Sequence, residues 1–153
     1  MHVTEMKNSI PPGFTRMPQG RVDDYLGIIG PYYLHRQGDE MELGFHVERR
    51  HSNYYDVCHG GMMASFCDML LAFAVSCELN NTGEHTIKTI SLQTDYIGAA
   101  PLGSWVQGKA DVLRLTRSMA FVQGLVTADG TLVTRVNGIF KIGKRRPVAE
   151  VPA

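Results

Sequence analysis

NYYDVCHGGMMASFCDMLLAFAVSCE runs from Asn53 to Glu78, and its reading decides the fold. A polar loop passes through His59-Gly60-Gly61 into a long apolar segment with one charge in its interior, Asp68. A helix that is apolar nearly all round must be buried, in a core or in a membrane. Met62 to Cys77 is short for a bilayer span, and Asp68 sits in its middle. The segment therefore predicts a central helix wrapped by the rest of the chain. A carboxylate in that setting is costly unless it is paired, hydrogen-bonded or protonated. Asp68 is the residue the sequence has to account for.

Working outward, Asn80-Asn81-Thr82-Gly83 supplies the stop signal after the helix. Before it, GPYYLHRQ and EMELGFHV flank a Gly-Asp turn and predict a hairpin. Asp23 to Leu26 predicts a brief helical turn, and Glu48 to Tyr55 an irregular polar stretch. After the helix come extended runs only. TIKTISLQTDYI alternates, with Ile90, Leu92 and Tyr96 on one face and Thr89, Ser91 and Gln93 on the other. SWVQGKADVLRL, SMAFVQGLVT and TLVTRVNGIFKI follow, the last two joined by Ala128-Asp129-Gly130, a strong hairpin signal. The order is hairpin, long helix, antiparallel meander. It predicts an α+β protein with a curved sheet around one helix. Residues 1–21 read as an irregular arm docked through Phe14 and Met17, residues 22–143 as one domain, and residues 144–153 as a loose tail.

The 153 residues suffice for one domain with a genuine core. Lys+Arg and Asp+Glu are both 15, so the formal charge is zero, which argues against nucleic acid or an anionic membrane as main partner. Near-neutrality also hints at self-association. Cys58, Cys67 and Cys77 form no CxxC spacing, so neither a disulfide framework nor a metal site is indicated. A reducing compartment, the cytoplasm, fits that usage. The N-terminus has no apolar core of a signal peptide.

The first N–H groups of a helix have no intrahelical acceptor, and the helix dipole is positive there. Gly60-Gly61 would leave those groups uncovered, as an oxyanion or phosphate site requires. The two glycines would equally allow tight packing of the helix start, and both readings stand. Asp68 lies eight residues beyond Gly60, roughly 12 Å along the axis at 1.5 Å per residue. One reacting carbon cannot touch both groups on a single helix. If both act on it, two subunits must supply them. The alternative is a structural carboxylate held by backbone or hydroxyl groups. His59 has no convincing triad around it and reads as structural at least as well as catalytic. Cys58 follows Val57 and reads as packing.

Asn53, His59-Gly60-Gly61, Asp68, a strand bearing Thr89, and the run from Arg117 to Phe121 together resemble the PaaI-like hotdog-fold acyl-CoA thioesterases. The resemblance covers roughly Asp24 to Ile142. It implies that Asp68 is the general base for water, or the nucleophile, on the thioester carbonyl. Gly60 would be the oxyanion donor, Asn53 would orient the reactants, and Thr89 would lie near the water, contributed together with Asp68 from the facing subunit. His59 and Gly61 would support substrate binding, and Arg117 would sit at the mouth. The family implies dimers or dimers of dimers, no metal, and no cofactor beyond the coenzyme A of the substrate. The acyl group would be small, medium-chain or aromatic. Two positions depart from the family pattern: Asp56 and Thr116 stand where glycine is frequent. Arg117, Lys141, Lys144, Arg145 and Arg146 are candidates for the phosphates, and Met62, Met63 and Phe66 for an apolar channel. A hotdog hydratase or dehydratase using His59 with Asp68, or a non-catalytic acyl-CoA binder, are the competing readings.

Overall fold

The computed structural model describes residues 9–18 and 21–145. The elements follow as β1 (Thr15–Arg16), α1 (Tyr25–Ile29), β2 (Tyr33–Gln37), β3 (Glu40–His46), a 3-10 turn (Arg49–His51), α2 (Gly60–Glu78), β4 (His85–Tyr96), β5 (Trp105–Leu115), β6 (Met119–Ala128) and β7 (Thr131–Lys144). They form one seven-stranded antiparallel sheet in the order β1-β2-β3-β5-β6-β7-β4. The sheet packs around α2, which is the expected hotdog architecture.

Local chemistry explains most of these elements. Asp24 caps α1 by accepting from the Gly27 N–H at 2.8 Å. Gly38, at φ +61°, makes the turn between β2 and β3. Asp129 and Gly130, at φ +46° and +85°, form the two-residue turn between β6 and β7. The arm is not wholly irregular: Thr15–Arg16 pairs with β2, and Phe14 sits edge-on to Trp105. The final strand continues to Lys144, paired with His85, so the tail starts later than residue 144. The expectations for residues 1–8, 19–20 and 146–153, Arg146 among them, lie outside the described residues.

Three expectations need correction. The strands after α2 are not one sequential meander. β5, β6 and β7 are, but β4 crosses to the far side and pairs only with β7, while β5 pairs with β3. The alternation in β4 also fails at one point. A bulge between Thr89 and Ser91 adds a residue, and Ile90 is left 54% exposed. Thr89 and Leu92 consequently share the helix-facing side, opposite Phe140 and Gly138 of β7.

The third correction concerns α2. Met62, Met63, Phe66, Cys67, Leu70, Leu71, Ala74 and Val75 are buried against the sheet. Gly61, Ser65, Asp68, Ala72 and Ser76 fall on the opposite stripe at helical spacing and are not fully covered. The apolar helix is wrapped on one side only within a single chain.

Candidate active site

His59 is the N-cap of α2. Its Nδ1 accepts from the Gly61 N–H at 2.9 Å. The imidazole is committed to ordering the helix start, so it is not a free base. Gly61 exists for this cap: a Cβ there would lie 3.1 Å from His59 Nδ1. Gly60 is different. A Cβ there would meet the Tyr96 ring at 3.6 Å, an ordinary contact, so packing does not demand glycine. The Gly60 N–H has no acceptor among the described residues, while its carbonyl accepts from Tyr96 Oη at 2.7 Å. The two glycines, equivalent in sequence, thus have separate reasons.

Asn53 Oδ1 accepts from the Tyr55 N–H at 2.9 Å and the Val57 N–H at 3.5 Å. Those donors fix the carboxamide, so its NH2 has no partner among the described residues and remains able to donate. Asn53, His59 and Gly60 line one cleft of about 660 Å³, together with Arg49 and Asp56. Asp56 sits at φ +55°, a left-handed conformation that explains why glycine is natural there. Its carboxylate is not a bare charge at the cleft, because it pairs with the Arg49 guanidinium.

Asp68 is half-buried on the open stripe, and its Oδ1 accepts from Thr89 Oγ1 at 2.6 Å. Thr89 is therefore no bland solvent-face residue; it grips the carboxylate. One carboxylate oxygen is held, and the other has no hydrogen-bond partner among the described residues. The helix between Gly60 and Asp68 is continuous, so the separation of roughly 12 Å stands. Within one chain the candidates form two groups. Asn53, His59, Gly60 and Gly61 gather at the Tyr96 end of β4. Asp68 and Thr89 lie nearer its other end.

Arg117 lies in the turn between β5 and β6, at the end of the sheet that carries Lys141. Thr116 closes the turn before it: its Oγ1 accepts from the Met119 N–H at 3.0 Å. Met119 pairs with Lys141, and Lys141 pairs with Lys88. Arg117, Lys141 and Lys88 are exposed and have no ion pair among the described residues. Lys88 and Lys141 face each other across the strands, on the side of the sheet away from α2 and from Thr89. Lys144 and Arg145 are also exposed at the end of β7.

Burial pushes the Cys58 and Cys67 thiols up to about 12, so neither supplies a thiolate near neutral pH. Met62 and Phe66 belong to the core and not to a channel; Phe66 stacks with Phe45 and Tyr32. Met63 is buried too but borders a small pocket under Tyr96. No group of three or more His, Cys, Asp or Glu able to hold a metal occurs among the described residues. Tyr96, Lys88 and Arg49 were not singled out from sequence. Only the register of the folded sheet and the turn before α2 place them here.

The thioesterase superfamily model matches residues 55–134, and the chain belongs to that superfamily. It is therefore a thioester hydrolase. Among curated proteins it is 24% identical over 135 residues to a Pseudomonas aeruginosa protein provisionally named an esterase, covering 88% of this chain and 98% of that one. Solved structures share the fold. Thioesterase superfamily member 2 from Mus musculus has a TM-score of 0.67 at 18% identity, covering 83% of this chain and all of that one (100%). A point mutant of the phenylacetic acid degradation protein PaaI from Thermus thermophilus gives 0.64 at 22%, covering 75% and 95%. A hypothetical thioesterase from Streptococcus pneumoniae, solved with coenzyme A, gives 0.63 at 19%, covering 76% and 88%.

Proposed function

We propose that this protein hydrolyses an acyl-CoA thioester to a carboxylate and coenzyme A, as a homodimer or a dimer of dimers in the cytoplasm. The observation that carries this reading is the division of the candidates along α2. Gly60 offers a free N–H at one point, and the Thr89-gripped Asp68 lies two turns further on. Two chains complete what one holds apart.

β4 is the natural seam. It is a 12-residue edge strand, and its outer side pairs with no other strand among the described residues. Such an edge is a template for another strand. An antiparallel pair of β4 strands centred on Gln93, with the Ile90–Ser91 bulge counted as one position, sets Thr89 opposite Tyr96 of the partner subunit. Asp68 then faces the Gly60 end of the other helix. No strand direction or side-chain face has to change.

In this arrangement Asp68 takes a proton from water as the oxygen attacks the thioester carbonyl. Thr89 holds Oδ1 and directs the other oxygen toward the water. The Gly60 N–H and the helix dipole stabilise the oxyanion, with the Asn53 amide orienting the reactants. Collapse expels the coenzyme A thiolate. Direct attack by Asp68 is the other route, through an acyl anhydride. Lys88, Lys141 and Arg117 receive the phosphates of coenzyme A.

Asp68→Asn is the test. Thiol release from small, medium-chain and aromatic acyl-CoAs should be abolished while the variant stays dimeric by sedimentation. Full activity in that variant would remove Asp68 from the mechanism. Single-turnover hydrolysis in 18O water separates base from nucleophile: label in the Asp68 carboxylate would show the covalent route.

A further inference from the structure

The last residue of β4, Tyr96, reaches back to the start of α2. Its Oη donates to the Gly60 carbonyl at 2.7 Å, and the hydroxyl end of its ring lies 3.6–3.7 Å from where a Cβ on Gly60 would stand. The Gly60–Gly61 peptide is thereby held at both poles, its carbonyl by Tyr96 and its N–H by His59 Nδ1. That peptide directly follows the Gly60 N–H. Neither element needs the Tyr96 bond in order to form. A carbonyl in the first turn of a helix already accepts the N–H four residues on. The end of β4 is pinned without the hydroxyl: Tyr96 pairs with Thr134 of β7, and the Ile97 and Gly98 N–H groups both donate to the Val133 carbonyl, at 2.8 and 3.1 Å. The ring is 54% exposed, so burial within the chain does not account for an aromatic residue here either.

We propose that Tyr96 is a positioning residue of the two-subunit site: its hydroxyl fixes the Gly60 peptide, and its ring, packed against Thr89 of the partner subunit, sets the distance from the Gly60 N–H to the partner's Asp68. The inference rests on the acyl-CoA thioesterase reading and its paired β4 strands, and adds a residue to that site. Pairing about Gln93 puts Tyr96 directly opposite the partner's Thr89 on the helix-facing side of the joined sheet. Side chains so placed have Cβ atoms about 4.5–5.5 Å apart, within easy reach of a tyrosine ring. Thr89 is the residue that grips Asp68. One ring therefore touches the oxyanion donor of its own chain and the support of the other chain's base. Such a side chain, locked by strand pairing and a hydrogen bond, holds its neighbours to about 0.5 Å.

The experiment measures thiol release by Tyr96→Phe, which keeps the ring and removes the hydroxyl, and by heterodimers of that variant with Asp68→Asn, isolated through two affinity tags. In the Tyr96→Phe homodimer kcat should fall by about tenfold with KM little changed, short of the roughly 100-fold of a full 1 Å misplacement. The heterodimer decides which subunits cooperate. If Tyr96 serves the partner's Asp68, one of the two equivalent sites carries both lesions and the other carries none, so activity returns to about half that of the wild type. If Tyr96 serves the Asp68 of its own chain, each site carries one lesion, and activity stays near one-twentieth. A chain generally damaged by the substitution would not lend a working Asp68 to its partner, so recovery also excludes a merely structural role. A Tyr96→Phe homodimer with wild-type kcat, or a heterodimer without recovery, overturns the inference and leaves the thioesterase reading intact. Absence of thiol release from every acyl-CoA in the wild type instead overturns the thioesterase reading, and the inference with it.

Discussion

The two glycines at the start of α2 should respond oppositely to the same change. In Gly61→Ala the new Cβ would sit 3.1 Å from His59 Nδ1 and 3.3 Å from Cε1. The imidazole must shift, and the cap on the Gly61 N–H weakens. Loss of an N-cap costs about 1 kcal/mol. For a protein of this size that lowers Tm by roughly 2–4 °C. In Gly60→Ala the Cβ meets Tyr96 at 3.6–3.7 Å, which the fold accepts without rearrangement. Its stability should change by no more than about 0.5 kcal/mol. The methyl group would instead stand beside the free N–H, where the thioester oxygen must approach. Displacing that oxygen by about 1 Å costs on the order of 100-fold in rate. Urea melts and thiol-release assays on both variants measure the contrast. A Gly60→Ala protein that is clearly destabilised, or that keeps full kcat/KM, would refute the separation of roles. So would a Gly61→Ala protein as stable as the wild type.

Thr89→Val should lower kcat by about tenfold or more, since hydrogen bonds to charged groups are worth about 1.5–3 kcal/mol, and Thr89→Ser should restore most of it. Gln93→Cys should form a covalent dimer on mild oxidation, visible on a non-reducing gel, because the proposed pairing sets two copies of residue 93 face to face. Lys88→Ala and Lys141→Ala should raise KM for acyl-CoA with kcat little changed, and should leave acyl-pantetheine substrates, which lack the nucleotide phosphates, unaffected. His51 should make stability acid-sensitive. Burial holds its imidazole below the ordinary range, with Nε2 donating to the Ile29 carbonyl at 2.7 Å and Nδ1 accepting from the Glu48 N–H at 3.1 Å. The unfolded chain therefore binds more protons as pH falls past about 6.5, and stability should decline through that window. Denaturation midpoints between pH 5 and 8 would show it, and His51→Gln should flatten the dependence.

Much of the fold could be read from the chain because local signals and burial agree. Asp129-Gly130 demands a tight turn, and the run from Met62 to Cys77 demands burial. The bulge at Ile90 could not be read, because no local residue announces it and a strict period of two then misassigns the faces. The placement of β4 beside β7 depends on where α2 returns the chain, which is a property of packing and not of strand propensity. At the site, His-Gly-Gly and Asp68 stood out by chemistry alone. Lys88 did not, since an exposed lysine gains meaning only from facing Lys141. Tyr96 did not either: its hydroxyl is informative only once the fold brings the Gly60 carbonyl to it.

The open edge of β4 also bears on how the protein behaves before it meets a partner. A 12-residue strand with one unpaired side is an invitation to any extended chain, and the 54% exposed Ile90 makes it adhesive. If assembly seals that edge, apparent stability rises with protein concentration by mass action. Dilution or slow synthesis would lengthen the time the edge lies bare. If β4 also joins two halves of the proposed site, the same strand governs solubility, and substitutions on it should trade activity against aggregation.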